Sequence, residues 1–213
     1  VLFRSEAERE AFLGTSPEAA DVLLLERDVQ LDDVESAIVL GGDGTILRAA
    51  ELVRGTAVPL IGVNLGHVGF LAESEKNGLT DAIARVIAQE YDVEDRFTLS
   101  VRVKIADKVV FETWAINEAS VEKASRSRIL EVVVEVDRRP LSSFSCDGVV
   151  MATPTGSTAY AFSAGGPIVW PGVEAMLFVP ISAHALFARP LVVGPESVMA
   201  VELVDRADAS GIL

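Results

Sequence analysis

The sequence predicts an N-terminal α/β domain over residues 1–95 followed by a C-terminal domain of antiparallel β-structure over residues 96–213. Three observations carry this expectation. Before residue 95, short apolar runs alternate with apolar residues at helical spacing. After Arg96 the apolar period becomes two, as on a strand with one buried face. Turn-forming residues separate those period-two runs. A cleft between the two domains is where a ligand is expected.

Each element has a local reason. Ser36 to Leu40 is short, largely apolar and stopped by Gly41, as a buried strand end would be. Ile46, Ala49, Ala50 and Val53 then repeat at helical spacing, which predicts a helix from about Ile46. A strand at Pro59 to Asn64 and a helix containing Leu79, Ile83, Val86 and Ile87 continue the parallel rhythm. Further on, Phe97, Leu99, Val101, Val103 and Ile105 share one strand face, with Thr98, Ser100, Arg102 and Lys104 on the other. An Asp107-Lys108 turn is expected to fold this strand onto Val109 to Ile116. Leu130, Val132, Val134 and Val136 alternate with Glu131, Glu135 and Asp137, and Arg138 to Pro140 is the predicted turn that follows.

Composition limits the function classes. With 213 residues, 50% hydrophobic and 23% charged, the chain can bury a sizeable core, in one large or two small domains. A formal charge of −14 argues against nucleic-acid binding, which needs clustered Lys and Arg. The single cysteine, Cys146, excludes an intrachain disulfide and, with only His67 and His184, leaves no cluster of metal ligands. A reducing, cytoplasmic setting is expected. Val1 to Glu10 has no apolar core of signal-peptide length, and Met176 to Val193 is broken by Pro180, His184, Arg189 and Pro190, so no membrane span is predicted. His67 and His184 read as loop or packing residues and Cys146 as a small buried hydrophobe.

The segment Val39-Leu40-Gly41-Gly42-Asp43-Gly44-Thr45 is the most informative of the chain. Glycines at Gly41, Gly42 and Gly44 would let backbone N–H groups approach a polyphosphate, and a Cβ at any of them is expected to clash or to forbid the required φ. The helix that follows adds its positive N-terminal end. A carboxylate beside bound phosphates is repulsive unless it handles a proton or a cation, so Asp43 is the candidate that orients and deprotonates an acceptor hydroxyl. The plainer reading is that Asp43 makes an Asx-turn and Thr45 caps the helix.

Three later segments carry polar groups where a plain strand would not. Asn117-Glu118 pairs an amide that donates and accepts with a carboxylate that only accepts, a combination suited to a ribose or a base edge. Asp147-Gly148 interrupts the apolar stretch from Phe144 to Met151, either as a ligand group or as a tight turn. Thr153 to Tyr160, followed by Ala161-Phe162-Ser163-Ala164-Gly165-Gly166, offers small hydroxyl residues and one aromatic as a lining for a flat heterocycle and its sugars. The alternative is a Ser/Thr-capped short helix with Tyr160 in the core.

Together these segments resemble the NAD kinase family, whose members phosphorylate the 2′-hydroxyl of the adenosine ribose of NAD to give NADP. The motifs are GGDGT at Gly41 to Thr45, VNLGHVGFLAE at Val63 to Glu73, NE at Asn117-Glu118 and DGVVMATPTGSTAYAFSAGGP at Asp147 to Pro167. The resemblance covers roughly residues 36 to 195. GGDGT is shared with lipid kinases and, more loosely, phosphofructokinases, so the later motifs decide the acceptor. The resemblance implies a Rossmann-like N-terminal domain, a C-terminal β-sandwich, and a homodimer or homotetramer whose dinucleotide site borrows groups from a neighbouring subunit. It implies ATP or inorganic polyphosphate as donor with a divalent cation such as Mg2+, and no tightly bound cofactor.

By the same resemblance Asp43 is the base, with Gly44 beside it in the NAD site, and Arg48, one turn on, is a phosphate contact. Gly41, Gly42, Gly44 and Thr45 form the donor loop. Asn117, Glu118 and Asp147 contact the dinucleotide, and Arg128 is a further contact whose register against Arg126 is open. Thr158, Ala159, Tyr160, Ala161, Phe162 and Ser163 form the wall, with Tyr160 against a base, and Phe70 shapes the pocket. Family members usually have an additional N-terminal strand and closing C-terminal strands, so a fragment is expected at both ends. Ser145 stands where many members have Lys or Arg. Two other functions remain open at this level: a non-catalytic dinucleotide-binding module, and a lipid kinase, which would have no use for the TGSTAY segment.

Overall fold

The computed structural model describes residues 2–3, 7, 10, 23–24, 28–64, 74–75, 79–125, 129–185 and 189–204. The chain divides into two compact units, Val1–Glu94 and Asp95–Leu213.

The first unit is a Rossmann-like α/β arrangement. Strands β1 (Leu2–Phe3) and β2 (Leu23–Leu24) form a parallel pair. Strands β3 (Ala37–Leu40), β4 (Leu60–Asn64) and β5 (Ser74–Glu75) form a parallel sheet in the order β3-β4-β5. Between β3 and β4 runs helix α1 (Asp43–Val53), which buries Ile46 and Ala50, while the sheet buries Val39 and Val63. Helix α1 begins three residues before the expected Ile46, because Gly42 and not Thr45 occupies the N-cap. Helix α2 (Leu79–Ile87) carries the expected apolar stripe, but none of its side chains is fully buried.

The second unit is a β-sandwich. A hairpin of β6 (Leu99–Ile105) and β7 (Lys108–Ala115) precedes it. Strands β8 (Glu118–Glu122), β9 (Leu130–Val136), β10 (Arg139–Cys146), β11 (Gly148–Ala152), β12 (Met176–Ile181), β13 (Leu191–Val193) and β14 (Met199–Leu203) then build two antiparallel sheets, β10-β9-β14 and β13-β12-β11-β8. Val132 and Val134 of β9, Cys146, Val149 and Phe178 form the core between the sheets. Cys146 is fully buried there, as expected of a small hydrophobe, and burial pushes its thiol up. On its other face the four-stranded sheet packs Val150, Ala152, Leu177 and Val179 against Ala161 of the one-turn helix α3 (Tyr160–Ser163). Strand β11 is buried on both faces, which is why Gly148 to Ala152 reads as an unbroken apolar run.

Both predicted turns lie one residue earlier than expected. Ala106-Asp107 and Asp137-Arg138 take positive φ at both positions, at 46° and 64° and at 53° and 64°. That is the primed two-residue geometry that matches strand twist, here without the Asn-Gly or Asp-Gly pair that signals it. Pro140 is therefore strand, and β10 tolerates it as an edge strand with a bulge between Pro140 and Ser142. The apolar face of β6 is buried only at Leu99; Val103 and Ile105 toward the hairpin tip are exposed.

Candidate functional site

In the first unit the GGDGT segment leaves the carboxyl end of β3. Gly41 donates its N–H to Val63 O at 3.0 Å, which ties the loop to β4. Gly41 has φ +155°, and a Cβ there would lie 2.6 Å from Thr45 Oγ1. Gly42 and Gly44 make no such demand: neither has positive φ, and nothing lies within 4 Å of a Cβ at either. The expectation that all three positions need glycine is thus corrected to Gly41 alone, with open space beside the other two. The N–H groups of the first turn have no side-chain cap and form the positive end of the helix.

Asp43 is the first residue of α1 and is half-buried. A carboxylate there is favoured by the helix dipole, so its position is stable without any ligand. Arg48 is exposed and lies five residues on, about 140° round the helix from Asp43. It shares a face with Gly44 and Thr45 instead. Asn64, at the carboxyl end of β4 beside this loop, is 5% exposed. Asn64 is not among the candidate residues above, although a polar residue closing an apolar parallel strand is a signal for a ligand-side group.

In the second unit one constellation is built around Asn117-Glu118. Thr153 donates its N–H to Asn117 O at 2.9 Å and its hydroxyl to Ile116 O at 2.5 Å, and accepts the Gly156 N–H at 3.0 Å. Gly156 then rests against the Asn117 backbone so closely that a Cβ would lie 2.0 Å from Asn117 O. Ser157 is wholly buried, donating to Pro154 O and accepting the Val169 N–H at 2.9 Å. These hydroxyls are therefore spent on holding the loop and do not line a pocket. What they hold is a 3-10 turn at Thr155–Thr158 leading into α3.

Two buried side-chain oxygens have no hydrogen-bond partner among the described residues: Asn117 Oδ1 and Glu118 Oε2. Burial raises the Glu118 carboxyl above its ordinary value, and the Tyr160 N–H, donating to it, opposes the rise. Each unpartnered acceptor costs ~1–3 kcal/mol when nothing satisfies it, so the pair is poised for donors from a ligand. Tyr160 is 37% exposed and Phe162 55%, which places Tyr160 outside the core. Thr158 and Ala159 are half-buried and Ser163 is exposed. Ala161 packs its methyl into the core, leaving only its backbone for a ligand. The helix has Ala159 at its N-cap with no side-chain bond, so a Ser/Thr cap does not explain the segment.

Asp147 is not part of this constellation. It precedes Gly148, which pairs with Glu122, whereas Glu118 pairs with Ala152 at the other end of β11. Five strand steps separate Asp147 from Glu118, roughly 16 Å. Nor is Asp147 a hairpin turn, because β10 and β11 belong to different sheets; it is where the chain switches between them. Its carboxyl is held below the usual range first by the hydrogen bond from Lys123, against some desolvation, with help from Ser182 and His184. Lys123 was not singled out in the sequence, where nothing in its spacing points at Asp147.

A family model described as the ATP-NAD kinase N-terminal domain matches residues 5–91, and one described as the ATP-NAD kinase C-terminal domain matches residues 116–212. A protein named NAD kinase from Leifsonia xyli subsp. xyli is 64% identical over 98% of this chain and 69% of its own length. The chain belongs to the NAD kinase family. A Streptomyces avermitilis relative named NAD kinase 2 is 61% identical over 81% of this chain, which spans 58% of that relative.

Solved structures of the family share the fold. Yeast NADH kinase complexed with NADH has a TM-score of 0.76 and 25% identity, over 95% of this chain and 71% of its own. An NAD kinase from Archaeoglobus fulgidus in complex with ATP has a TM-score of 0.70 and 28% identity, over 95% of this chain and 79% of its own. Of the NAD kinase motifs read from the sequence, Arg128, His67, Phe70 and the stretch 65–73 lie outside the described residues. No helix among the described residues is long and apolar enough to cross a membrane.

Proposed function

We propose that the protein is an NAD kinase, transferring a phosphoryl group from ATP or inorganic polyphosphate to the 2′-hydroxyl of the adenosine ribose of NAD. The observation that carries this is the unpartnered pair, Asn117 Oδ1 and Glu118 Oε2, set beside a partly exposed Tyr160. Two buried acceptors and a ring face are what a ribose hydroxyl or a base amine and its heterocycle would satisfy. A lipid acceptor would leave both oxygens unpaired, and discrimination of that kind is strong. Family membership supplies the reaction class, and complexes of relatives with NADH and with ATP support both ligands.

In this reading Asp43 accepts the proton of the 2′-hydroxyl as its oxygen bonds to the transferred phosphorus and the donor's terminal P–O bond breaks. Gly42 and Gly44 supply N–H groups at the α1 terminus to the donor phosphates, Thr45, whose N–H is already given to Gly42 O at 2.9 Å, offers its hydroxyl, and Arg48 adds charge. A divalent cation would arrive on the donor phosphates, with the Asp43 carboxylate able to reach it from the first unit. That cation would neutralise the charge of the phosphates. Asp147 serves a different part of a dinucleotide from Glu118, within one chain or across the boundary of a homodimer or homotetramer. A cytoplasmic location fits the substrates and the single thiol.

The test is to incubate the protein with NAD, ATP and magnesium and to follow NADP, with a diglyceride as competing acceptor and polyphosphate as alternative donor. NADP formation with no lipid phosphorylation is the expected result. Lipid phosphate, or binding of NAD without turnover, would replace the proposal with one of the other two readings.

A further inference from the structure

The switch residue Asp147 is clasped from two sides. Its N–H donates to Ile181 O at 3.0 Å and its carbonyl accepts the Lys123 N–H at 3.1 Å. The same two neighbours reach the carboxylate. The Lys123 ammonium donates to Oδ1, and the Ser182 hydroxyl, one residue past Ile181, donates as well. Ser182 takes φ +48°, a left-handed conformation that serine adopts only at a cost. His184 follows and ties its N–H to Ser145 O at 2.8 Å.

An ion pair with 23% and 36% side-chain exposure contributes little to stability. A strained serine and a lysine whose backbone is already fixed to its partner are thus more than a weak salt bridge requires. Their shared effect is to fix the orientation of the Asp147 carboxylate. Asp147 also carries a negative charge that a diphosphate would meet, and the Lys123 ammonium offsets it.

We propose that Lys123 is the positioning residue for Asp147, fixing its carboxylate in the orientation that meets a hydrogen-bond donor of the dinucleotide while cancelling the repulsion between that carboxylate and the ligand's phosphates. This rests on the NAD kinase reading above. Lys123→Met keeps the stem and removes the ammonium; Lys123→Arg restores the charge. The expected result is an NAD KM and calorimetric Kd raised about tenfold in Lys123→Met, with kcat within about twofold and most of the affinity recovered in Lys123→Arg. Parental NAD affinity in Lys123→Met would overturn the proposal, as would an equal loss in Lys123→Arg.

A second measurement does not need the ligand. The Asp147 carboxyl, followed by carbon NMR across acid pH with Lys123, Ser182 and His184 as its neighbours, should titrate at higher pH in Lys123→Met and return toward the parental midpoint in Lys123→Arg. An unmoved midpoint would overturn the positioning role whether or not NAD is bound. Failure of the parent to make NADP, with the midpoint moving as stated, would instead overturn the functional reading and leave the clasp intact.

Discussion

Replacing Gly156 with alanine probes the contact that fixes the Asn117-Glu118 pair. The added Cβ would lie 2.0 Å from Asn117 O, 2.4 Å from its carbonyl carbon and 2.8 Å from its Cα. All three are backbone atoms, so no side-chain rotation relieves the overlap. Restoring ordinary contact needs a separation of more than ~1 Å. Strand β8 is paired to β11 from Glu118 to Glu122, so the displacement falls on Asn117 just before the paired strand, strains its bond from the Thr153 N–H and is passed to the adjoining Glu118.

Misplacing a ligand-orienting group by about 1 Å costs on the order of 10²-fold in rate. Overpacking of this kind also costs ~1–3 kcal/mol of stability. The assay is NADP formation at saturating ATP, with Tm measured in parallel. We expect kcat/KM for NAD to fall about 10²-fold and NAD to lose its stabilising effect on Tm. Gly172→Ala, where nothing lies within 4 Å of the new Cβ, should change neither. Parental kcat/KM in Gly156→Ala would refute the argument that this contact positions the dinucleotide site.

Other perturbations have equally definite outcomes. Because burial raises the Glu118 carboxyl above 4.5, the folded protein holds that proton more tightly than the unfolded chain, and the stability it lends in acid is lost as pH rises from 4.5 through the folded value. Glu118→Gln should therefore raise Tm at pH 7 but not below pH ~4, while weakening NAD binding at least about tenfold; a Tm loss at pH 7 would contradict this. Asp43→Asn should keep the NAD Kd within a few-fold and lower turnover by ~10²–10⁴-fold; parental turnover would remove Asp43 from the mechanism. Gly42→Ala should raise the KM for ATP with Tm unchanged, whereas Gly41→Ala should lose more than ~1 kcal/mol of stability; the reverse ranking in a thermal melt would show that the loop geometry is misassigned.

The segments whose chemistry depends on local spacing were legible in the sequence. GGDGT was placed between a strand and a helix because glycine stops a strand and the helical period resumes at once. The β9 strand was read from its alternation, and Cys146 from the absence of any partner for it. Turns at Ala106-Asp107 and Asp137-Arg138 were misplaced by one residue, since positive φ at alanine, aspartate and arginine is imposed by strand twist and leaves no compositional mark.

The sequence by itself determined the family, the order of an α/β unit before a β unit, and the residue types able to act on a phosphate and a nucleoside. Only tertiary structure decided how those residues are employed. Thr153 and Ser157 look like ligand groups in a string of small hydroxyls, yet their partners are carbonyls at Ile116 and Pro154. Asp147 stands near the TGSTAY segment in sequence but at the far end of β11 from Glu118, because a strand carries its two ends apart by ~3.3 Å per residue. Lys123 meets Asp147 across 24 positions of sequence, a pairing set by β8 and β11 register. Spacing along the chain encodes local conformation, whereas which buried oxygen finds a partner depends on contacts between distant strands, and those exist only once the sheets have closed.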